Sequence, residues 1–266
     1  MIINQLVPQA STYAEDIDFV WEFIFWTVGA WTVACFAVFF YFIFKFKAKE
    51  GVKALYVSGE TKEEKKWVSI PHALVLLCDV AVIFFAVRVW YSVKQDIPDD
   101  PNAVEIRVMA QQWAWTFIHP GKDGKLDTPD DIKTTDELFV QNDQMYVYHL
   151  ESRDVMHDFS VPVFRLKQDA IPGRVISGWF KTNDHKPPRD KDGKLIPYDI
   201  QCAEMCGIGH GIMGARIYIQ GSNEHLAWID QRPETVAASK LAQNSLTNGS
   251  AVAADKTIRS ESGGER

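Results

Sequence analysis

The chain has 266 residues, with 35 acidic side chains against 28 basic ones and a formal net charge of −7. The excess sits wholly between residues 96 and 232, where 22 acids face 15 bases; residues 1–95 carry nine of each and residues 233–266 four of each. An acidic segment speaks against a nucleic-acid partner and for a cationic one, although such a charge also serves solubility alone; and with only four cysteines and no Cys-x2-Cys-His, no c-type haem is attached to the chain.

From Phe23 to Phe44 the chain is apolar and free of charge over 22 residues, enough for a helix to cross ~30 Å of hydrocarbon. A second run extends from Val68 to Tyr91, with Pro71 at its start, and contains His72, Asp79 and Arg88. Arg88 lies near one end and can snorkel, whereas Asp79 lies deeper, where lipid is costly, and is expected to face a protein partner. Residues 1–20 lack Lys and Arg but contain Glu15, Asp16 and Asp18, so the first run reads as an uncleaved helix rather than a signal peptide. Lys45, Lys47, Lys49, Lys53, Lys62, Lys65 and Lys66 place the intervening loop on the cytoplasmic or matrix side, with the N-terminus and everything after Tyr91 outside. The expected division is 1–95 for the N-terminal segment and a hairpin with helices over 20–46 and 66–93, 96–232 for an outer domain, and 233–266 for a disordered tail rich in Ala, Ser and Asn.

After the Pro-rich linker at 96–101 come short runs rich in β-branched and aromatic residues at 103–110, 137–140, 145–150, 173–180 and 214–220, separated by turn residues, which reads as a β-sandwich closed by a short helix at 224–232. Residues 119–136 form a loop or hairpin tip with Asp123, Asp127, Asp130 and Asp131. The EF-hand spacing and its terminal Glu are missing, so a solvated acidic loop is favoured over a Ca²⁺ site, with docking of a basic partner as a second possibility.

The densest chemistry is at 202–213, where Cys202, Cys206, His210 and Met213 follow the spacing Cys-x3-Cys-x3-His-x2-Met. Soft sulfur with imidazole suits copper, and a thioether is a typical weak copper ligand. A mononuclear blue-copper site needs one thiolate; two thiolates can bridge two copper ions. Zinc gains little from Met213, a disulfide leaves His210 and Met213 unexplained, and a redox dithiol more often shows Cys-x2-Cys. Cys35 and Cys78 lie in the apolar runs and read as small hydrophobes.

A membrane hairpin, an outer β-sandwich and a two-thiol copper loop together resemble subunit II of haem-copper cytochrome c oxidases, over residues 15–232. Four stretches carry the resemblance in the family order: Glu64-x2-Trp67-x3-Pro71; Gln112-Trp113-Ala114-Trp115; Asp154-Val-Met-His157 continuing through Val161-Pro162 and Leu166-Lys167 to Asp169–Arg174; and Gln201–Met213. The resemblance implies a two-helix transmembrane hairpin carrying an all-β, cupredoxin-like Greek-key sandwich. It implies a dinuclear copper centre, CuA, with Cys202 and Cys206 bridging, His157 and His210 each on one copper, Met213 a weak ligand to one and the carbonyl of Glu204 to the other. The Glu204 carboxylate would help the catalytic subunit hold a Mg²⁺. Spacing alone does not choose His157 over His119 or His149; the family motif does. Trp113 would receive electrons from cytochrome c, while Trp115, two residues on, is read as a buried strand residue. Glu64 would stand at the inner mouth of a proton pathway, where solvated surface is otherwise the default.

Two departures touch this region: Ala114 replaces the usual aromatic between the tryptophans, and the usual His-Ser-Trp is His157-Asp158-Phe159. The reading is an electron-accepting oxidase subunit that takes single electrons from a c-type cytochrome and passes them to haem in subunit I, where O2 is reduced with proton pumping. Its setting is a two-pass membrane protein with the copper domain outside, leaning to the bacterial inner membrane and periplasm over the mitochondrial inner membrane. The rivals are a membrane-anchored copper chaperone or sensor and a copper-free quinol oxidase subunit II.

Overall fold

The computed structural model describes residues 2–54 and 56–232; the tail expected over 233–266 lies outside the described residues. The described residues divide into two compact units: residues 2–8 with 13–97, and residues 9–12 with 98–232.

The first unit is helical. After a short α1 (Ile2–Leu6), α2 spans Ala14–Lys45 and α3 spans Lys62–Trp90, continued by a π-helical turn over Tyr91–Gln95. Both long helices start earlier than the apolar runs suggested, at 14 rather than 20 and at 62 rather than 66. The reason is local: Glu15 and Asp16 occupy the first turn of α2, where carboxylates meet the positive end of the helix dipole. In α3, Thr61 and Glu64 form a capping box. Phe85 of α3 packs edge-on to Phe19 and Phe23 of α2, at 5.3 and 5.4 Å between ring centroids. Both helices are long and apolar enough to cross a membrane, and their most apolar stretches are unburied, so the apolar area they expose needs lipid or other chains to cover it.

The second unit is a sandwich of two five-stranded sheets. One has the order β3 (Ile132–Thr135), β2 (Ala114–His119), β1 (Val104–Gln111), β5 (Met145–Ser152), β8 (Ile176–Lys181). The other has the order β4 (Glu137–Gln141), β10 (Gly214–Gln220), β9 (Tyr198–Cys202), β6 (His157–Val161), β7 (Leu166–Ala170). The pairs β1–β5 and β4–β10 are parallel and the rest antiparallel. This is the expected cupredoxin-like arrangement. Alternation builds the core: Ile106, Val108 and Ala110 of β1 and Trp115 and Phe117 of β2 face Phe159, Ile200 and Ile217 from the other sheet, all buried.

The expected strands at 103–110, 137–140, 145–150 and 214–220 are present within two residues at each end, while the one expected over 173–180 begins only at Ile176. β2 was anticipated only through Trp115, read as a buried strand residue, and β3, β6, β7 and β9 were not anticipated. The acidic stretch 119–136 is the tip of the β2–β3 hairpin, with β3 itself inside it. Its carboxylates serve the loop: Thr128 donates to Asp130 at 2.7 Å, and Asp127 holds Arg107 of β1 through two 2.9 Å bonds. The closing helix, α4, spans Ser222–Asp230, slightly ahead of the expected 224–232. Residues 9–12, ahead of the first long helix, join the sandwich rather than the helical unit. Ala10 N–H donates to Val163 O at 2.8 Å, the Ser11 hydroxyl to Phe164 O at 2.9 Å, and Ser11 pairs with Thr182 beside β8.

Candidate metal centre

Three strand ends and one loop converge at one end of the second sheet. His157 opens β6, Cys202 closes β9, and Met213 immediately precedes β10. The β9–β10 ladder sets Gly214 opposite Gln201, and Cys202 N–H donates to Met213 O at 3.1 Å, so the 203–213 loop must close on itself. The β6–β9 ladder pairs Phe159 with Cys202, and Ala203 N–H donates to Asp158 O at 3.2 Å, which brings His157 to the same end. Gly207 makes the loop's sharp bend at φ +117°, where a Cβ would meet Gln112 and the Trp113 ring; a Cβ on Gly209 would also run into that indole.

The donor atoms form a connected chain. Cys202 Sγ lies 3.8 Å from His157 Nδ1 and 3.2 Å from the carbonyl oxygen of Glu204. Cys206 Sγ lies 3.6 Å from His210 Nδ1 and 3.8 Å from Met213 Sδ. The two sulfurs are 3.7 Å apart. The arrangement has two halves, each with one imidazole and one weaker donor, joined by a pair of sulfurs. Among the described residues, His157, Cys202 and Cys206 bring their ligating atoms within 4.8 Å of one another; His210 completes the far half beside Cys206. Both cysteines are free thiols, and with Met213 and His157 they are buried.

Electrostatics favours a cation here. Burial, and then the neighbouring Cys202, push the Cys206 thiol up to about 11, so two thiolates side by side in this pocket need positive charge between them. A site of two thiolates, two imidazoles, a thioether and a carbonyl is soft, as copper prefers. The residues fit the group.

A supporting layer surrounds the donors. His157 turns Nε2 to Asp154 Oδ1 at 2.9 Å, which leaves Nδ1 facing the sulfurs. Asp154 also accepts from the backbone N–H groups of Gln112 and Val155, each at 2.7 Å. Partial burial works against its ionisation, but the bonds from Gln112, His157 and Val155 outweigh that and hold the carboxyl below the usual range. The Gln112 amide donates to Cys206 O at 2.7 Å and the Trp113 indole N–H to the same oxygen at 3.2 Å. Carboxylate, ligand histidine, thiolate loop and tryptophan thus form one hydrogen-bonded group.

Residues 104–220 match the family described as cytochrome C oxidase subunit II, periplasmic domain. The alternative cytochrome c oxidase subunit 2 of Bradyrhizobium diazoefficiens is 30% identical over 238 residues, covering 81% of this chain and 80% of that one. The chain belongs to the cytochrome c oxidase subunit 2 family. The subunit 2 of Cereibacter sphaeroides is 25% identical over 254 residues, 84% of this chain and 78% of that one. The periplasmic domain of subunit II of cytochrome oxidase from Bradyrhizobium japonicum is similar to 51% of this chain and 95% of its own, at 26% identity and a TM-score of 0.41. As a member of this family the chain is a subunit of an oxidoreductase complex, the haem-copper oxidase, and its two apolar helices and its match to a periplasmic-domain family fit a two-pass membrane protein.

Within this chain, all six donors named from the sequence come together. His119 and His149 do not join them. His119 is buried against Trp228 at 5.1 Å between ring centroids, and His149 bonds Ser177 at 3.0 Å. Trp113 sits in the β1–β2 turn, 40% exposed, whereas Trp115 is fully buried and edge-on to His157 at 6.2 Å. Glu64 belongs to the helical unit, where its carboxylate accepts from Thr61 N–H at 3.2 Å and from the Ser58 hydroxyl at 3.3 Å. Sequence reasoning gave no role to Asp154 and Gln112, named only within the stretches that carry the resemblance, nor to Gly207 and Gly209. Asp154 had a usable signal, a carboxylate three residues before a candidate ligand histidine, and the Thr-x2-Glu capping box at Thr61 was equally readable.

Proposed function

We propose that the chain is the CuA subunit of a cytochrome c oxidase, accepting single electrons from a c-type cytochrome and handing them to haem in subunit I, where O2 reduction is coupled to proton pumping. The observation that carries this reading is the two-thiolate bridge geometry: Cys202 and Cys206 stand between His157 and His210, with the Glu204 carbonyl on one side and Met213 on the other. Dinuclear copper held there would supply a one-electron couple whose charge is spread over two ions, so that little rearrangement accompanies each transfer.

The chain's own residues divide the work. Cys202 and Cys206 neutralise the cations, and His157 and His210 hold the ends. Asp154 fixes the ring of His157. Trp113 receives the electron: its indole is partly exposed and bonds the carbonyl of Cys206, a direct link from surface to thiolate. The carboxylate of Glu204, half-buried in the ligand loop, would help hold a Mg²⁺ shared with subunit I. Glu64, at the inner end of α3 beside the lysine-rich loop, opens a proton pathway. Orientation rests on that loop and on connectivity. Residues 9–12 before the first span and 98–232 after the second fold into one unit, as an even number of crossings requires. The membrane is the bacterial inner membrane, with the copper domain in the periplasm.

The test is electron paramagnetic resonance of the copper-loaded, oxidised chain in detergent. One unpaired electron shared equally by two copper nuclei of spin 3/2 gives seven hyperfine lines. Four lines would mean a single copper, and no copper signal after loading would mean a quinol-oxidase-like or degenerate site; either sinks the proposal.

A further inference from the structure

Gly209 leads into the short turn His210–Ile212 of the ligand loop, with φ −85° and ψ 8°. Most side chains adopt those angles, as at the third position of a type I turn, so the backbone does not require glycine there. The space around it does. A Cβ at Gly209 would stand 2.3 Å from Cδ2, 2.5 Å from Cγ and 2.8 Å from Cε3 of Trp113. With a carbon–carbon bond of about 1.5 Å, the Gly209 Cα lies no more than about 3.8 Å from the indole, within the range of an optimal carbon contact. Cδ2 is one of the two atoms where the rings of the indole fuse, so the body of the side chain, not a flexible tip, rests on Gly209. A Cβ on Gly207 would stand 3.3 Å from Cζ2 and 3.5 Å from Nε1 of the same ring, and Nε1–H donates to Cys206 O at 3.2 Å. The indole is thus laid along the backbone of residues 206–209, between the two far-half ligands Cys206 and His210, while Trp113 stays 40% exposed. Gly211, in the turn that follows, differs: a Cβ there meets nothing within 4 Å, and its φ is not positive.

We infer that Gly209 is a positioning residue for electron entry: having no side chain, it lets the Trp113 indole lie flush on the ligand loop and so sets the gap between that ring and the Cys206–His210 half of the centre. This rests on the reading of Trp113 as the entry point. The bond from Nε1 to Cys206 O fixes one point of the ring and leaves its tilt free. The contact at Cδ2 and Cγ, the two atoms of the five-membered ring not bonded to Nε1, fixes the second. In the entry step one electron leaves the ferrous haem of the donor and is taken up by the copper pair. No bond forms or breaks, so the geometry of this contact bears directly on the rate. A methyl group at position 209 would open the carbon contact from 2.3 Å to about 3.5 Å, a retreat of about 1 Å for the ring.

The experiment compares Gly209→Ala, Gly211→Ala, Trp113→Ala and the double variant Gly209→Ala/Trp113→Ala. One readout is the rate at which reduced soluble cytochrome c reduces the copper-loaded oxidase, with copper content measured alongside. The other is the urea midpoint of the metal-free chain in detergent. Gly209→Ala should slow reduction ~10–100-fold, the cost of moving a reacting group by about 1 Å, with copper content unchanged. Gly211→Ala should match the wild type in both readouts, because its Cβ meets open space. Gly209→Ala should lower the urea midpoint of the wild-type chain but not that of Trp113→Ala, the non-additivity of two residues in contact. A wild-type rate in Gly209→Ala, an equal loss in Gly211→Ala, loss of copper from Gly209→Ala, or a midpoint shift that persists without the indole would each overturn the inference. Unchanged reduction in Trp113→Ala would overturn the entry reading, and with it the part of Gly209 in electron entry. That failure is distinguishable, because the midpoint comparison tests the Gly209–Trp113 contact without any electron donor.

Discussion

Removal of the Asp154 carboxylate tests whether the layer behind the ligands governs the metal centre. In Asp154→Ala three bonds disappear: from Gln112 N–H and Val155 N–H at 2.7 Å and from His157 Nε2 at 2.9 Å. Losing an outer partner of a ligand histidine costs ~10–100-fold in metal affinity, or about 1.4–2.7 kcal/mol. The fold should lose less. Hydrogen bonds to a charged group contribute ~1.5–3 kcal/mol each, but the Asp154 side chain is 32% exposed and water replaces part of what is removed, so a net destabilisation of about 1–2 kcal/mol is expected. The assay pairs a Cu(I) competition titration against a chelator of known affinity with a urea unfolding midpoint of the metal-free chain. A folded Asp154→Ala variant with unchanged copper affinity would refute the reasoning, since His157 would then need no orienting group. A drop in stability with no change in affinity would reduce Asp154 to a turn-stabilising residue.

Three further outcomes follow from the geometry. Trp113→Phe keeps the ring volume but deletes the bond to Cys206 O; copper loading should survive while electron input from cytochrome c collapses, and unchanged turnover would remove Trp113 from that role. Gly207→Ala places a Cβ at φ +117° against Gln112, so it should cost ~1–3 kcal/mol in the urea midpoint, and an unaltered midpoint would mean the bend is not required. His119 and His225 are pushed down to about 3 and about 4, chiefly by burial. The unfolded chain therefore takes up these protons first. Stability from this pair is fully present above ~6.5 and declines as pH falls from there toward about 4, at up to ~1.4 kcal/mol per pH unit for each histidine. The urea midpoint of His119→Phe should depend less on pH between 7 and 5 than that of the wild type, and identical slopes would count against the burial argument.

The two long helices were legible because membrane burial is a matter of composition: an apolar run of 22 residues needs no particular neighbour to announce itself. Their true starts were hidden in polar first turns, where capping and dipole effects act. Strands with alternating β-branched or aromatic residues, such as β1, β5 and β10, were equally readable. β9 has the alternation, Tyr-Asp-Ile-Gln-Cys, in a run of only five residues, whereas β6 is buried along its whole length as His-Asp-Phe-Ser-Val and β7 is mostly polar. The strand state of β6 and β7 comes from the ladders they complete, not from their own pattern.

The same division runs through the metal centre. Cys202, Cys206, His210 and Met213 lie within twelve residues, so local spacing alone exposed a soft donor set. His157 lies 45 positions from Cys202, with His149 nearby in sequence and no local rule to choose between them. The β6–β9 pairing chooses, by placing Phe159 beside Cys202 and so bringing His157 to the thiols. Asp154, Gln112 and Trp113 join only because the β1–β2 turn of one sheet closes over the ligand loop of the other. By itself the sequence determined the kind of donors and the membrane attachment, because softness and hydropathy belong to side chains. Only the tertiary structure decided how His157, which the family motif had picked out, meets the sulfurs and what holds it there, because hydrogen bonds between distant segments exist only once two sheets have packed.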